Sequence, residues 1–427
     1  MCFIDDTLAP IPLPRIVKVK QNFSTQHLEL AEIEAYLQEH ISSLAGFQQI
    51  KPGQRIAITG GSRGINHIAA ITRIICSLVK AKGAQPFVIP AMGSHGGATA
   101  EGQRHMLETI GITEETIGAP ILSSMEVDQI SSFDDGRPIY IDRNAHQADG
   151  IIVLNRIKAH TSFHGRYESG LMKMMTIGLG KQKGAQNYHQ TGYKKFPHII
   201  EAVGNGVINN AKIIFGVGLL ENAFSKIRKI VCLEPHQIPQ QEPALLVESY
   251  EYLARPFYRQ LDVMVVKAIG KNISGTGCDS NICGRVNNEH YTGDIHPTRL
   301  GFLELTKETS GNANGMGLAD FITKKLFSQA DLEQSYPNAL TSTAVLSAKI
   351  PIILASDQQV FKAAVKTSTL EDYTQARLSI LENSKNMQTL YISENMVEEA
   401  QAKGAEILGE PFAIPFDANG NLQLVFN

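Results

Sequence analysis

Four side chains between residues 155 and 189 carry the chemistry this sequence offers. They are His160, His164, Lys173 and His189, in the stretch NRIKAHTSFHGRYESGLMKMMTIGLGKQKGAQNYH. Lys173 stands among Leu171, Met172, Met174, Met175, Ile177 and Leu179. A lysine drawn out of water by such neighbours loses basicity and becomes a nucleophile. The ordinary alternative is a place on the wet face of a helix, with the stem lying along the methionines. Gly170, Gly178 and Gly180 favour the first reading, because they mark backbone that bends sharply or admits a ligand closely. The imidazoles are acid–base groups whose charge changes near neutral pH, and any of them can also ligate a metal.

Four further loops hold candidates. GGSRG (60–64) follows an apolar run and precedes a helical pattern, which makes an anion cradle of its glycines and the helix start. It lacks the full G-x-G-x-x-G fingerprint, so a tight turn with a solvated Arg63 is the even alternative. GSHGGAT (93–99) sets His95 between glycines, where the backbone displays it to solvent. GVGLLENA (216–223) runs a buried strand into Glu221 and Asn222, either a hydrogen-bonding pair for a site or a helix cap. Residues 270–285 form an unusually polar loop in which Lys271 and Arg285 could clamp a carboxylate. Cys278 and Cys283 lie in the same loop, but no CxxC occurs, so a redox pairing is discounted.

These loops need a scaffold, and the periodicity supplies one. Short apolar strands at 55–59, 86–90, 150–154 and 213–220 alternate with helical patterns at 65–82, 99–110 and 194–210. That alternation predicts α/β architecture: a Rossmann-like parallel sheet flanked by helices, with ligand loops at the carboxyl ends of its strands. A strand at 15–19 and a helix at 27–44 precede it. Residues 233–245, rich in Pro and Gln, read as an exposed loop before a connecting helix at 247–261. A second α/β unit begins at 261–268, with helices expected at 316–327, 369–383 and 395–407, strands at 343–346 and 351–354, and a turn at 417–421. The expected division is residues 1–257 as a cofactor-binding domain, with 405–427 as a possible addition to it, and 258–404 as a domain contributing substrate contacts. The active site is expected in the cleft between them.

The chain has 427 residues, 43% hydrophobic and 19% charged, with a net charge of −3. That is ordinary globular material for two or three domains, with no electrostatic reason to bind nucleic acid or an anionic membrane. Five scattered cysteines build neither a disulfide framework nor a zinc ribbon. The opening MCFIDDTLAP is not a signal peptide and no run approaches a membrane span, so the cytoplasm is the expected location.

The order His-bearing loop, SG-x-x-K, glycine turn, then a histidine 16 residues after the lysine resembles the lactate racemase family. That family uses a nickel-pincer nucleotide. The resemblance implies that Lys173 binds this cofactor covalently through a thioamide and that His189 ligates the nickel. It makes His95 and His164 the two acid/base histidines, with His160 open as the alternative to His164. Gly60, Ser62, Arg63, Gly178, Glu221 and Asn222 become cofactor contacts, and Arg63, Lys271 and Arg285 hold the substrate carboxylate. GGS replaces the residues that flank the family's arginine. The family's tyrosine–glutamine and lysine pattern is missing near 270–285, which points to a substrate other than lactate. The implied activity is racemisation or epimerisation of a 2-hydroxy acid, with transient contact to cofactor-making enzymes. The doubly wound pattern also suits a nicotinamide-dependent oxidoreductase of a small hydroxy acid, or a non-catalytic nucleotide- or metabolite-binding protein.

Overall fold

The computed structural model describes residues 3–133 and 136–426; Cys2 lies outside them. The chain divides into two compact units, residues 24–253 and residues 1–23 with 254–427.

The first unit is built on a five-stranded sheet in the order Gln85–Pro90, Arg55–Gly60, Gly150–Arg156, Ile213–Glu221, Ile227–Leu233. The first four strands run parallel and the last returns antiparallel. Strands such as IAITG and IIVL are apolar on both faces because helices cover both sides. Helix Ile68–Ala81 shows why its residues fold this way. Ile68, Ile71, Ile74, Ile75 and Val79 recur at helical spacing and are buried in the main core with Ile56, Ile58, Val88 and Leu154. The chain moves outward from Arg55–Gly60 to Gln85–Pro90, then crosses back to lay Gly150–Arg156 on the other flank. The strand order therefore reverses beside Arg55–Gly60, and open sheets of this kind bind ligands outside the carboxyl ends of their strands at such a point. The loops that leave Gly60 and Arg156 start at those ends.

The second unit holds an eight-stranded mixed sheet: Ile352–Leu354, Phe321–Thr323, His296–Leu305, Gln260–Ile269, Leu378–Leu381, Thr389–Ser393, Ile16–Lys20, Glu406–Phe412. Ile16–Lys20 lies antiparallel between Thr389–Ser393 and Glu406–Phe412. This changes the expected division at both ends of the chain. Strands Ile16–Lys20 and Glu406–Phe412 complete the sheet of the later unit, because that sheet offers the opening strand two antiparallel partners.

Other expectations also need correction. Residues 233–245 are not a loop: Glu234 forms a capping box with Gln237, and helix Ile238–Tyr252 carries proline in its first turn and again at Pro243. Proline fits a first turn because its missing N–H has no partner to lose there. The helix expected at 369–383 is strand Leu378–Leu381, paired with Gln260–Ile269, after helix Asp357–Thr367. The strand expected at 343–346 is a 3-10 turn, Val345–Ala348, and 316–327 contains strand Phe321–Thr323. Helix 395–407 is shorter, Val397–Ala402, and runs into strand Glu406–Phe412. Among the described residues, no helix is long and apolar enough to cross a membrane.

Candidate active site

The site is assembled from the loop after strand Gly150–Arg156. Lys158 and Ser169 exchange backbone hydrogen bonds, 2.9 and 3.2 Å, which closes residues 158–169 into a compact loop. Asn155 Nδ2 donates to Gly170 O at 2.8 Å and ties the loop exit to the strand end. At its centre lies the Glu168 carboxylate, its side chain only 2% exposed. It accepts from His160 N at 2.6 Å, from Gly165 N at 3.3 Å and from the Tyr250 hydroxyl at 2.9 Å.

Lys173 ends the short α-turn Leu171–Lys173, a π-turn follows at Met174–Gly178, and helix Lys181–His189 resumes. Single π-turns of this kind are frequent at functional sites. The turn begins where Glu242, fully sunk in the protein, accepts from Met172 N at 3.0 Å. A Cβ at Gly170 would lie 2.1 Å from Glu242 Oε1, so only glycine lets the carboxyl approach. Burial pushes the Glu242 carboxyl up to about 8.

Lys173 is half-buried, and its Nζ lies 5.6 Å from the centre of the Phe163 ring. Burial, then the charges of Arg63 and Lys158, bring its amine down to about 7, against a smaller opposing pull from Glu168. A large fraction of this amine is therefore neutral and nucleophilic at physiological pH. His189 stacks on Phe196, ring centres 4.6 Å apart, and burial followed by Lys173 brings it down to about 4. It stays neutral at pH 7, the form that ligates a metal. His160 packs on Phe163 at 4.2 Å and is held well below its ordinary range by burial, then by Lys173, Lys158, His189 and His164. These mutual influences place Lys173, His160, His164 and His189 in one cluster. Arg63 belongs to it, since its charge acts on Lys173, and burial and Arg156 weaken its own basicity. Three cations (Arg63, Arg156, Lys158) against two carboxylates (Glu168, Glu221), with Lys173 in part protonated, leave the cluster suited to an anion.

Hydrogen bonds assign the histidine tautomers. His95 Nδ1 lies 2.7 Å from Met92 O, which can only accept, so the proton is on Nδ1 and the lone pair on Nε2. His164 Nδ1 faces Glu168 Oε1 at 3.3 Å and the Tyr250 hydroxyl at 3.0 Å, which sets the same tautomer. His160 is opposite: its Nδ1 accepts from Ser162 N at 3.0 Å, so a neutral ring carries its proton on Nε2. His95 and His164 can each accept a proton through Nε2, whereas His160 is a donor there. Of the two histidines left open by the sequence, His164 has the form of a base.

The His95 loop is fastened to the Lys173 segment. Gly93 N approaches Gly178 O at 3.5 Å, and a Cβ at Gly178 would meet Ala91 O at 2.7 Å. Lys181 and Asp142 form a fully buried ion pair at 3.1 Å. Lys181 Nζ also donates to Gln103 Oε1 at 3.1 Å, and Gln103 Nε2 donates to Gly93 O at 2.8 Å and His95 O at 3.2 Å. Lys181 sits at φ 53°, a left-handed conformation that these contacts hold in place.

Several expected contacts have other duties. Gly178 serves the close packing just described. A Cβ at Gly60 would meet Leu107 at 2.8 Å, so this glycine seats helix Ala100–Thr109. Glu221 binds Arg156 and accepts from Asn66 N at 3.0 Å, which anchors the loop carrying Ser62 and Arg63. Asn222 Oδ1 accepts from Phe224 N at 3.0 Å and Lys226 N at 3.1 Å, so it shapes the turn between two strands. In the other unit, Lys271 Nζ donates to Gly275 O at 2.8 Å. Arg285 pairs with Asp320 at 3.1 Å and donates to Pro297 O and Thr298 O. Both serve their own loops. The sequence reading missed Glu168, Tyr250, Lys181, Asp142 and Glu242; only Glu168, four residues after His164, had a local signal.

Among the described residues, no three His, Cys, Asp or Glu side chains are grouped to hold a metal ion. The pincer nucleotide asks less of the protein: one amine, one neutral imidazole and groups that tolerate its phosphate. Lys173, His189 and the surrounding cations fit that donor set.

The lactate racemase N-terminal domain family matches residues 7–199. Among solved structures, the lactate racemase apoprotein from Thermoanaerobacterium thermosaccharolyticum aligns with a TM-score of 0.50 and 12% identity, over 82% of this chain and 91% of that one. At that identity the likeness is one of fold, and it supports the α/β architecture. No curated protein matches the chain significantly. The similarity to the lactate racemase N-terminal domain thus rests on residues 7–199 of this chain.

Proposed function

We propose that the protein racemises or epimerises a 2-hydroxy acid with a nickel-pincer nucleotide as its cofactor. One observation carries this reading. A lysine with its amine brought down to about 7 and a histidine kept neutral stand in one cationic cluster, beside a histidine whose tautomer is set for proton abstraction. Lys173 would hold the nucleotide covalently and His189 would be the protein ligand of the nickel. When bound, that group supplies a hydride acceptor that also returns the hydride, which the protein alone lacks.

The chain's own residues handle charge and protons. Arg63 and its cationic neighbours hold the substrate carboxylate, and a guanidinium suits that planar anion. Inversion at a carbinol carbon needs a base for either hand of the substrate, because the hydroxyl lies differently in the two enantiomers. His164 Nε2 takes the hydroxyl proton of one and His95 Nε2 that of the other. Each returns the proton when the hydroxyl re-forms. His160, protonated on Nε2, is a neutral donor to a substrate oxygen.

The test is expression with the cofactor-making enzymes, followed by nickel analysis, intact mass, and a screen of 2-hydroxy acids for loss of optical activity. One nickel per chain and a mass increment located at Lys173 are expected. Lys173→Ala and His189→Ala should each abolish nickel retention and turnover. Full activity in either variant sinks the reading. Tight NADH binding without nickel would favour the oxidoreductase in its place.

A further inference from the structure

Helix Ile238–Tyr252 brings to the site one side chain that nothing above has used in the reaction. The Tyr250 hydroxyl lies 2.9 and 3.0 Å from the two oxygens of Glu168 and 3.0 Å from His164 Nδ1. A phenol has one proton. Glu168 already accepts from two backbone N–H groups, His160 and Gly165, and acts as the acceptor of this group. The phenol proton therefore goes to the carboxylate, and the phenol oxygen receives the Nδ1 proton of His164. The direct path from His164 Nδ1 to Glu168 is longer, 3.3 Å.

We infer that Tyr250 and Glu168 are positioning residues for His164, a carboxylate–phenol–imidazole relay that fixes the ring's tautomer and orientation for proton transfer. The inference rests on the racemase reading for the reaction it serves, but its geometry stands without it. The proton count balances. The substrate O–H breaks, an N–H forms at His164 Nε2, and the ring becomes an imidazolium with its Nδ1 proton still on the Tyr250 oxygen. The added charge lies one phenol away from a buried carboxylate. On return the Nε2–H breaks and the O–H re-forms. No proton leaves Tyr250 or Glu168 in the cycle. A third group that holds an imidazole in one tautomer in this way governs its competence as a base without touching substrate. His95 obtains the same tautomer from a backbone carbonyl, Met92 O, an acceptor that no side-chain substitution removes.

The experiment is nitrogen-15 NMR of histidine-labelled full-length protein without cofactor, with the His164 signal assigned by its loss in His164→Gln. The wild type should show His164 as the Nδ1–H tautomer. Tyr250→Phe removes the phenol oxygen with little change of shape and should leave a mixture of tautomers, with His95 unchanged. In cofactor-loaded protein the same variant should lower kcat roughly 10–100-fold, as loss of an orienting partner commonly does, while KM moves less than about threefold. Glu168→Gln should follow in the same direction; if it fails to fold, Tyr250→Phe decides alone. An unchanged His164 tautomer in Tyr250→Phe overturns the inference, and so does an unchanged kcat. If loaded wild type turns over no 2-hydroxy acid, the racemase reading fails, while the tautomer in the unloaded chain still decides the relay.

Discussion

Two loops leave buried parallel strands of this protein, one after Gly150–Arg156 and one after Gln260–Ile269. Both are rich in polar residues. In residues 270–288 the polar groups close on one another. Lys271 reaches Gly275 O, Asp279 accepts from Asn281, Thr276 donates to Cys278 O, and Arg285 is committed to Asp320 and two carbonyls. In residues 157–173 a single carboxylate, Glu168, gathers the internal hydrogen bonds. It leaves an amine and three imidazoles around one cationic cluster. Polar composition marks both loops. What separates them is whether the polar side chains hold the loop together or are held by it.

The sharpest way to break this contrast is to remove a held group. His164→Ala should reduce turnover by about 10²- to 10⁴-fold, the usual scale for a lost acid–base group. His160→Gln, which keeps an N–H donor, should lose much less. Equal losses would erase the distinction drawn from tautomers; steady-state racemisation rates decide it. A second measurement sharpens the contrast through pH. Lys173 is depressed toward 7, so its neutral form grows as pH rises through that value and is scarce below it. Labelling of Lys173 in the unloaded protein by an acylating reagent, followed by peptide mass spectrometry, should rise with a midpoint near 7. An ordinary lysine would rise near ~10.4, and a midpoint there would contradict the buried cluster. The smallest effect belongs to the other loop. Lys271→Ala should leave KM within about threefold, since this side chain serves its own loop and a surface-type contact contributes about 1 kcal/mol or less. A much larger rise in KM would return Lys271 to the substrate.

The residues that announce themselves in the sequence are those whose environment is local. Lys173 sits between methionines in the sequence and is drawn out of water in the fold, and the glycine loops after 60 and 92 follow strands that periodicity predicts. His164 and Glu168 are four residues apart. The partners that decide roles are remote: Tyr250 is 82 residues from Glu168 and Lys181 is 78 from Gln103. No period or motif links them, because only the crossing of strands and helices brings them together. The helix around 238–252 was masked by prolines, which stop a helix inside its length and start one at its first turn. The segment 369–383 has helical spacing, yet pairing with a central strand overrides that preference at Leu378–Leu381.

Strand Ile16–Lys20 has one more consequence, for the order of assembly. Its two neighbours, Thr389–Ser393 and Glu406–Phe412, are made only after all of residues 24–253. Ile16–Lys20 must wait for both partners until those later strands have been made. Residues 24–253 are complete long before that, as an uninterrupted piece. The half with Lys173 and His189 thus has every one of its own parts at hand while the other half still lacks the strands that close its sheet, a natural sequence for a chain folded unit by unit.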